Sequence, residues 1–218
     1  GWVSLSSDQT ISMVVAGAEA EAPRTKKQSA GLTMQMLKFI VKGWGTSAHW
    51  WKRQVTTLLS TGFLTIMRLG EVCSLKRAGI TAIFLDGSEG QLSDFKILPK
   101  ANHLRGMLMH LPWRKNHVTQ DCWIPVACDQ VIHSIFQQVT TLRAMYCPSP
   151  YLFPSRRYRK GSKQLPHRSN HVGHQSVVTA LRNSLLDCVP LMTRAWAALY
   201  SGHSLRVGGS DRKSTRLN

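Results

Sequence analysis

The 218-residue chain carries 28 Lys and Arg against 11 Asp and Glu, a formal net charge of +17, and 43% of its residues are hydrophobic. That apolar share supplies a core for one domain and excludes wholesale disorder; no apolar run approaches the ~18 residues of a membrane span, and residues 11–18 are too short, without a basic lead, for a secretory signal. So large a charge opposes folding by self-repulsion and points to a polyanionic partner: nucleic acid first, since each neutralised phosphate releases condensed counterions, with an anionic membrane surface as the competitor.

Residues 1–22 hold almost no positive charge and end in Ala18-Glu19-Ala20-Glu21-Ala22, after which Pro23-Arg24-Thr25-Lys26-Lys27 reads as a basic linker. A domain boundary is expected there, residues 1–23 being the end of something larger and its linker. From Thr33 the spacing of Met34, Leu37, Ile40 and Val41 predicts a helix that Gly43 and Gly45 break. A second helix is expected over 48–60, its stripe formed by Trp51, Val55, Leu58 and Leu59. Thr61-Gly62 punctuates, and Thr65 can cap a third helix over 65–76 that Gly79 ends. Residues 81–85 read as a short strand, followed by an Asp86-Gly87 turn.

Met107, Met109, Leu111 and Trp113 then alternate with Leu108, His110 and Pro112, a period-2 strand, and Cys122, Ile124 and Val126 form its return partner. Pro112 predicts an edge or a bulge. Asp129 opens the longest amphipathic helix, with Ile132, Ile135, Phe136, Val139, Leu142 and Met145 on one face, stopped by Pro148 and Pro150. Residues 156–168 read as a loop with six basic residues, of which Arg156, Arg157, Arg159, Lys160 and Lys163 are candidates to track a DNA backbone; a merely solvated loop is the plain alternative. Helices are expected over 175–186 and 191–199, and Ser201 can cap a last one carrying His203 and Arg206. Helices, a small sheet, then helices predict an α+β domain.

Cys73, Cys122, Cys128, Cys147 and Cys188 are odd in number, scattered, and without a C-x-x-C pair, which fits a reducing compartment, nuclear or cytoplasmic, rather than secretion. His167, His171 and His174 could hold zinc, but histidines in so basic a stretch more often meet phosphate. Trp50-Trp51 could stack bases, yet they begin an amphipathic helix and suit a core better.

Among residues able to do chemistry, Arg68 stands in apolar surroundings, a costly place for a guanidinium without a partner, and Glu71 at i+3 can hold it. A semi-buried ion pair with no further role is the plain alternative. His203 and Arg206, also at i and i+3, share a face of a helix. Lys115 stands where a hairpin strand gives way to a polar loop, usually only a solvated position.

Taken in order, these residues resemble the catalytic domain of the tyrosine recombinase (phage integrase) family. Thr61-Gly62 through Leu75 resembles its T-G-x-R-x-x-E-x-x-x-L segment with four extra residues before the arginine, and Tyr151-Leu152-Phe153-Pro154-Ser155 resembles its L-F-P stretch. Ser201-Gly202-His203-Ser204-Leu205-Arg206 looks most like versions from eukaryotic mobile elements, including DIRS-like retroelements. The resemblance covers residues 24–210 and implies a mainly helical α+β domain with a small antiparallel sheet. It implies double-stranded DNA as partner, oligomerisation on it, and strand cleavage and rejoining through a 3′-phosphotyrosyl link without metal or cofactor. Arg68 and Arg206 would clamp the non-bridging oxygens of the scissile phosphate, His203 would assist the nucleophile, and Lys115 would protonate the departing 5′-oxygen.

The family's nucleophilic tyrosine lies further downstream. Here Tyr146, Tyr151, Tyr158 and Tyr200 all precede His203, and the polar residues 211–218 depart from the family's small apolar continuation. The chain is therefore expected to be an incomplete catalytic domain with an unrelated or artefactual tail, inactive in cleavage. A degenerate mobile-element remnant that binds DNA without catalysis is the alternative. An unrelated RNA-binding domain is disfavoured because no RNP, KH or dsRBD pattern occurs.

Overall fold

The computed structural model describes residues 30–111, 120–125, 129–157 and 165–207. Thr33 starts the first helix, α1 (Met34–Trp44), by accepting the Met36 N–H on its hydroxyl at 3.2 Å. Gly43 is accommodated inside this helix and Gly45 follows its end.

Helix α2 (Trp50–Thr65) runs unbroken through Thr61-Gly62, contrary to the reading of that pair as a stop. The helical cost of one glycine, about 1 kcal/mol, is outweighed because Val55, Leu58, Leu59 and Phe63 are buried around it. Its reason is tertiary: a Cβ on Gly62 would meet Leu205 Cδ1 and Val72 Cγ2, each at 3.1 Å. The chain turns at Ile66, whose φ of 56° is unusual for a β-branched residue. Helix α3 (Leu69–Cys73) is far shorter than the expected 65–76, and Thr65 ends α2 rather than capping it. A single 3₁₀ turn, Arg77–Gly79, leads into the sheet.

The strands β1 (Ile80–Phe84), β2 (Glu89–Gln91), β3 (Leu104–Leu111) and β4 (Gln120–Pro125) form an antiparallel four-stranded sheet ordered β2-β1-β3-β4. Gly87, with φ at 85°, supplies the turn expected after Asp86. The predicted alternation holds, with Met107, Met109 and Leu111 buried and His110 exposed. The strand is nevertheless interior, paired with β1 on one side and β4 on the other, so the edge position expected from Pro112 is corrected; Pro112 and Trp113 lie outside the described residues.

Helix α4 (Asp129–Ala144) buries Ile132, Ile135, Val139 and Leu142 and packs against α2. Between them lies a buried amide network. Gln138 Nε2 donates to Gln54 Oε1 at 2.8 Å and to the Leu152 carbonyl at 3.1 Å, and Gln54 Nε2 donates to the Pro154 carbonyl at 2.8 Å. The basic stretch is in part a second antiparallel pair, β5 (Pro154–Arg157) with β6 (Leu165–His171), rather than a loop throughout. Pairing supplies the backbone hydrogen bonds that its charged composition gave no reason to expect. Helix α5 (His174–Cys188) packs against α1 and α2, and α6 (Arg194–Ala198), capped by Thr193, packs on α5. Trp50 and Trp51 are buried in the core, as the amphipathic reading expected. Cys73 and Cys188 are free thiols, while Cys128 lies outside the described residues.

Candidate functional site

Arg68 is placed by the break between α2 and α3. Ile66 reverses the backbone, Met67 is fully buried, and Arg68 becomes the N-cap of α3. Glu71, one turn in, holds it at both ends: Oε2 accepts the Arg68 backbone N–H at 2.8 Å and Oε1 accepts from Nη1 at 3.0 Å. The carboxylate is 8% exposed and the guanidinium side chain 41%, so the cation projects from a buried anchor towards solvent.

His203 and Arg206 are placed by interlocking serines. The Ser201 N–H donates to Ser204 Oγ at 2.9 Å, and the His203 N–H donates to Ser201 Oγ at 3.2 Å. The Arg206 and Val207 N–H groups both donate to the His203 carbonyl at 3.0 Å, so the expected helical turn forms over residues 204–207. Leu205, fully buried, drives this turn onto Gly62 and Val72, which brings it beside α3. The Leu32 N–H, donating to the Ser204 carbonyl at 2.9 Å, straps it from the other side.

These two pieces, distant in sequence, meet at one cavity of about 570 Å³, whose wall includes Arg68, Glu71, His203 and Arg206. Leu111, the last residue of β3, also lines it; Lys115 lies outside the described residues. Three lining residues had no place in the sequence assignment of the site. Lys76 follows α3, and its backbone bridges Tyr151. Tyr151 presents its ring beside His171, centroids 5.1 Å apart. His174, the first residue of α5, lies against Gly202 so closely that a Cβ there would overlap the imidazole. The sequence had singled out His174 only as one of three clustered histidines and Tyr151 only as the start of the L-F-P stretch; tertiary contacts bring both to this wall.

Both oxygens of Glu71 are engaged by Arg68, whereas the Lys76 ammonium and the Arg206 guanidinium have no hydrogen-bond or ion-pair partner among the described residues. Among the described residues the cavity is thus a cationic recess whose one carboxylate holds its own arginine, an arrangement that accepts an anion.

Of the other sequence candidates, Arg156 lines a separate cavity of about 460 Å³, its guanidinium 4.2 Å from the Trp51 ring centroid. Arg157 ends β5, and Arg159, Lys160 and Lys163 lie outside the described residues. No cluster of three or more His, Cys, Asp or Glu residues able to hold a metal occurs among the described residues. Tyr200 is 3% exposed with its hydroxyl donated to Met36 Sδ at 3.2 Å, and burial raises its pKa above the usual range. No helix among the described residues is long and apolar enough to cross a membrane.

No protein-family model matches the chain, and no curated protein matches it in sequence. Among solved structures, the pre-cleavage complex of the XerH site-specific recombinase bound to difH substrate superposes with a TM-score of 0.53 at 11% identity, over 87% of this chain and 44% of that one. The post-cleavage complex of XerH with palindromic difH superposes at 0.53 and 12% identity, over 86% and 43%. This chain therefore spans less than half the length of those proteins. At such identity the likeness is one of fold: the chain has the mainly helical α+β fold, with a small antiparallel sheet, of the site-specific recombinase XerH.

Proposed function

We propose that this chain binds double-stranded DNA and is part of a tyrosine recombinase, a protein that cleaves and rejoins DNA strands. The observation that carries this reading is the convergence of Arg68, His203 and Arg206 on one cationic cavity in a chain with the fold of XerH. The net charge of +17 supports the same partner.

In the proposed chemistry the scissile phosphodiester lies between Arg68 and Arg206. Their N–H groups bind its non-bridging oxygens, where charge accumulates in the pentavalent transition state, and Glu71 keeps Arg68 from swinging away. His203 accepts or returns the proton of the attacking hydroxyl, and Lys115 protonates the departing 5′-oxygen. Residues 24–210 would form the catalytic domain. Residues 1–23 would belong to a preceding DNA-binding unit, and residues 211–218 would be foreign to the domain. The mobile-element origin suggested by Ser201–Arg206 belongs to the same proposal, as does oligomerisation on DNA.

The attacking tyrosine is not assigned within this chain. Tyr200 is buried, Tyr146 is 93% exposed and is not part of the cavity wall, and Tyr151 lines the cavity but stands before the His203 motif. The 218-residue chain is therefore expected to bind duplex DNA with a steep salt dependence and to form no covalent adduct on nicked duplexes. Binding indifferent to salt would refute the DNA reading, and an adduct mapped to Tyr146, Tyr151, Tyr200 or Tyr158, the last outside the described residues, would refute the assignment of the nucleophile.

A further inference from the structure

We propose that the cavity holds two neighbouring phosphates of one DNA strand, the scissile one on Arg68 and Arg206 and a flanking one on Lys76. This rests on the reading of the cavity as a DNA site and says how much of the strand it takes.

The first ground is charge. Among its described residues the wall carries the cations Arg68, Lys76 and Arg206 against the carboxylate of Glu71, which Arg68 already holds. A single phosphodiester brings one negative charge, so one cation would remain uncompensated in a recess partly shielded from water. A second phosphate of the same strand supplies a partner for that cation. The second ground is size. A cavity of about 570 Å³ falls among those that hold whole small-molecule ligands, more than one phosphate group requires.

The third ground is the way Lys76 is held. It leaves α3 where the chain becomes extended, and three backbone contacts fix its stretch against the segment before β5. Lys76 bridges Tyr151, the Leu152 N–H donates to the Leu75 carbonyl at 2.8 Å, and the Arg77 N–H donates to the Pro150 carbonyl at 2.8 Å. A lysine serving only solubility needs no such frame. Its ammonium has no carboxylate or carbonyl partner among the described residues, so it meets an incoming strand without breaking an existing bond. Arg68 instead is bound to Glu71, and this division suits a fixed clamp on the reacting phosphate and a mobile contact on its neighbour.

Counterion release provides the test, because it counts phosphates neutralised rather than side chains present: log Kobs falls with log salt at about 0.9 per phosphate. Binding of the full chain to a fluorescein-labelled mixed-sequence 30-base-pair duplex is measured from 50 to 300 mM KCl. The proteins are the wild type, Lys76→Ala, Lys76→Gln, Arg68→Gln/Arg206→Gln, the combination of that pair with Lys76→Ala, and the exposed control Lys38→Ala, with circular dichroism confirming each fold. The two Lys76 variants are expected to lower the slope by about 0.9, the arginine pair by about 0.9, and the combination by about 1.8. Lys38→Ala should leave it unchanged. A slope unchanged by both Lys76 variants overturns the proposal, as does a combination that lowers it no further than the arginine pair, since Lys76 would then share the scissile phosphate. If the arginine pair leaves the slope unchanged, the DNA reading of the cavity fails instead.

Discussion

Glu71 can be tested in two steps, because its two oxygens do different work. Oε2 accepts the backbone N–H of Arg68 and so caps α3, while Oε1 holds the guanidinium. Glu71→Gln keeps an acceptor for the cap but removes the charge; Glu71→Ala removes both. The guanidinium is 41% exposed, so solvent screens the ion pair and its loss should cost about 1 kcal/mol. Loss of the cap and its side-chain volume adds roughly 1–2 kcal/mol. Urea denaturation should therefore give destabilisation of about 1 kcal/mol for the amide and about 2–3 kcal/mol for the alanine. DNA binding should move the other way. Each variant raises the local charge by one and releases Arg68 from its anchor, so affinity for a nonspecific duplex at low salt should hold or rise. Cleavage by any longer, active form should fall, because the arginine is no longer pre-set on the phosphate. The two-oxygen account fails if the amide and the alanine destabilise equally. A loss of duplex affinity as large as that of Arg68→Gln would show that Glu71 itself contacts the DNA-bound arrangement.

Three further expectations follow from the interior. Gln138→Ala leaves Gln54 Oε1 and the Leu152 carbonyl without this donor in a buried setting, so it should cost roughly 2–5 kcal/mol in chemical denaturation; a cost below about 1 kcal/mol would mean that water replaces the amide. Thr61 is fully buried with its hydroxyl unpartnered, so the near-isosteric Thr61→Val should raise stability by about 1 kcal/mol, and a lower unfolding midpoint would contradict this. Burial pushes the Cys73 thiol up to about 12 from 9.0, so the unfolded chain ionises there before the folded one. Stability should then be untouched by this group below pH 9 and fall above it by up to about 1.4 kcal/mol per pH unit. Cys73→Ala should flatten that part of the pH–stability curve, and an equally steep fall in the variant would assign it elsewhere.

The sequence by itself determined what depends on neighbours along the chain. Thr33 and the stripe Leu37–Ile40 specified α1, the alternation at Met107–Leu111 specified β3, and the apolar face from Ile132 to Leu142 specified α4, because capping and periodicity are local properties. The Arg68–Glu71 contact was equally legible, since i and i+3 meet on any helix. Wherever a residue's role is set by a distant partner, the local reading gave a different answer. Gly62 read as a stop, yet it clears space for Leu205; of the edge or bulge that Pro112 suggested, the edge is excluded because β1 and β4 flank β3. The charged residues of β5 and β6 suppressed a strand signal that backbone pairing restores. The cavity divides in the same way. Its arginines and His203 could be named from motif order, but Lys76, Tyr151 and His174 join them only because Leu205 seats the last turn against α2 and α3, and because the chain at Leu75 pairs with Leu152. Charge is written residue by residue in a sequence, but its concentration in one recess comes from buried apolar contacts that fix which distant segments meet.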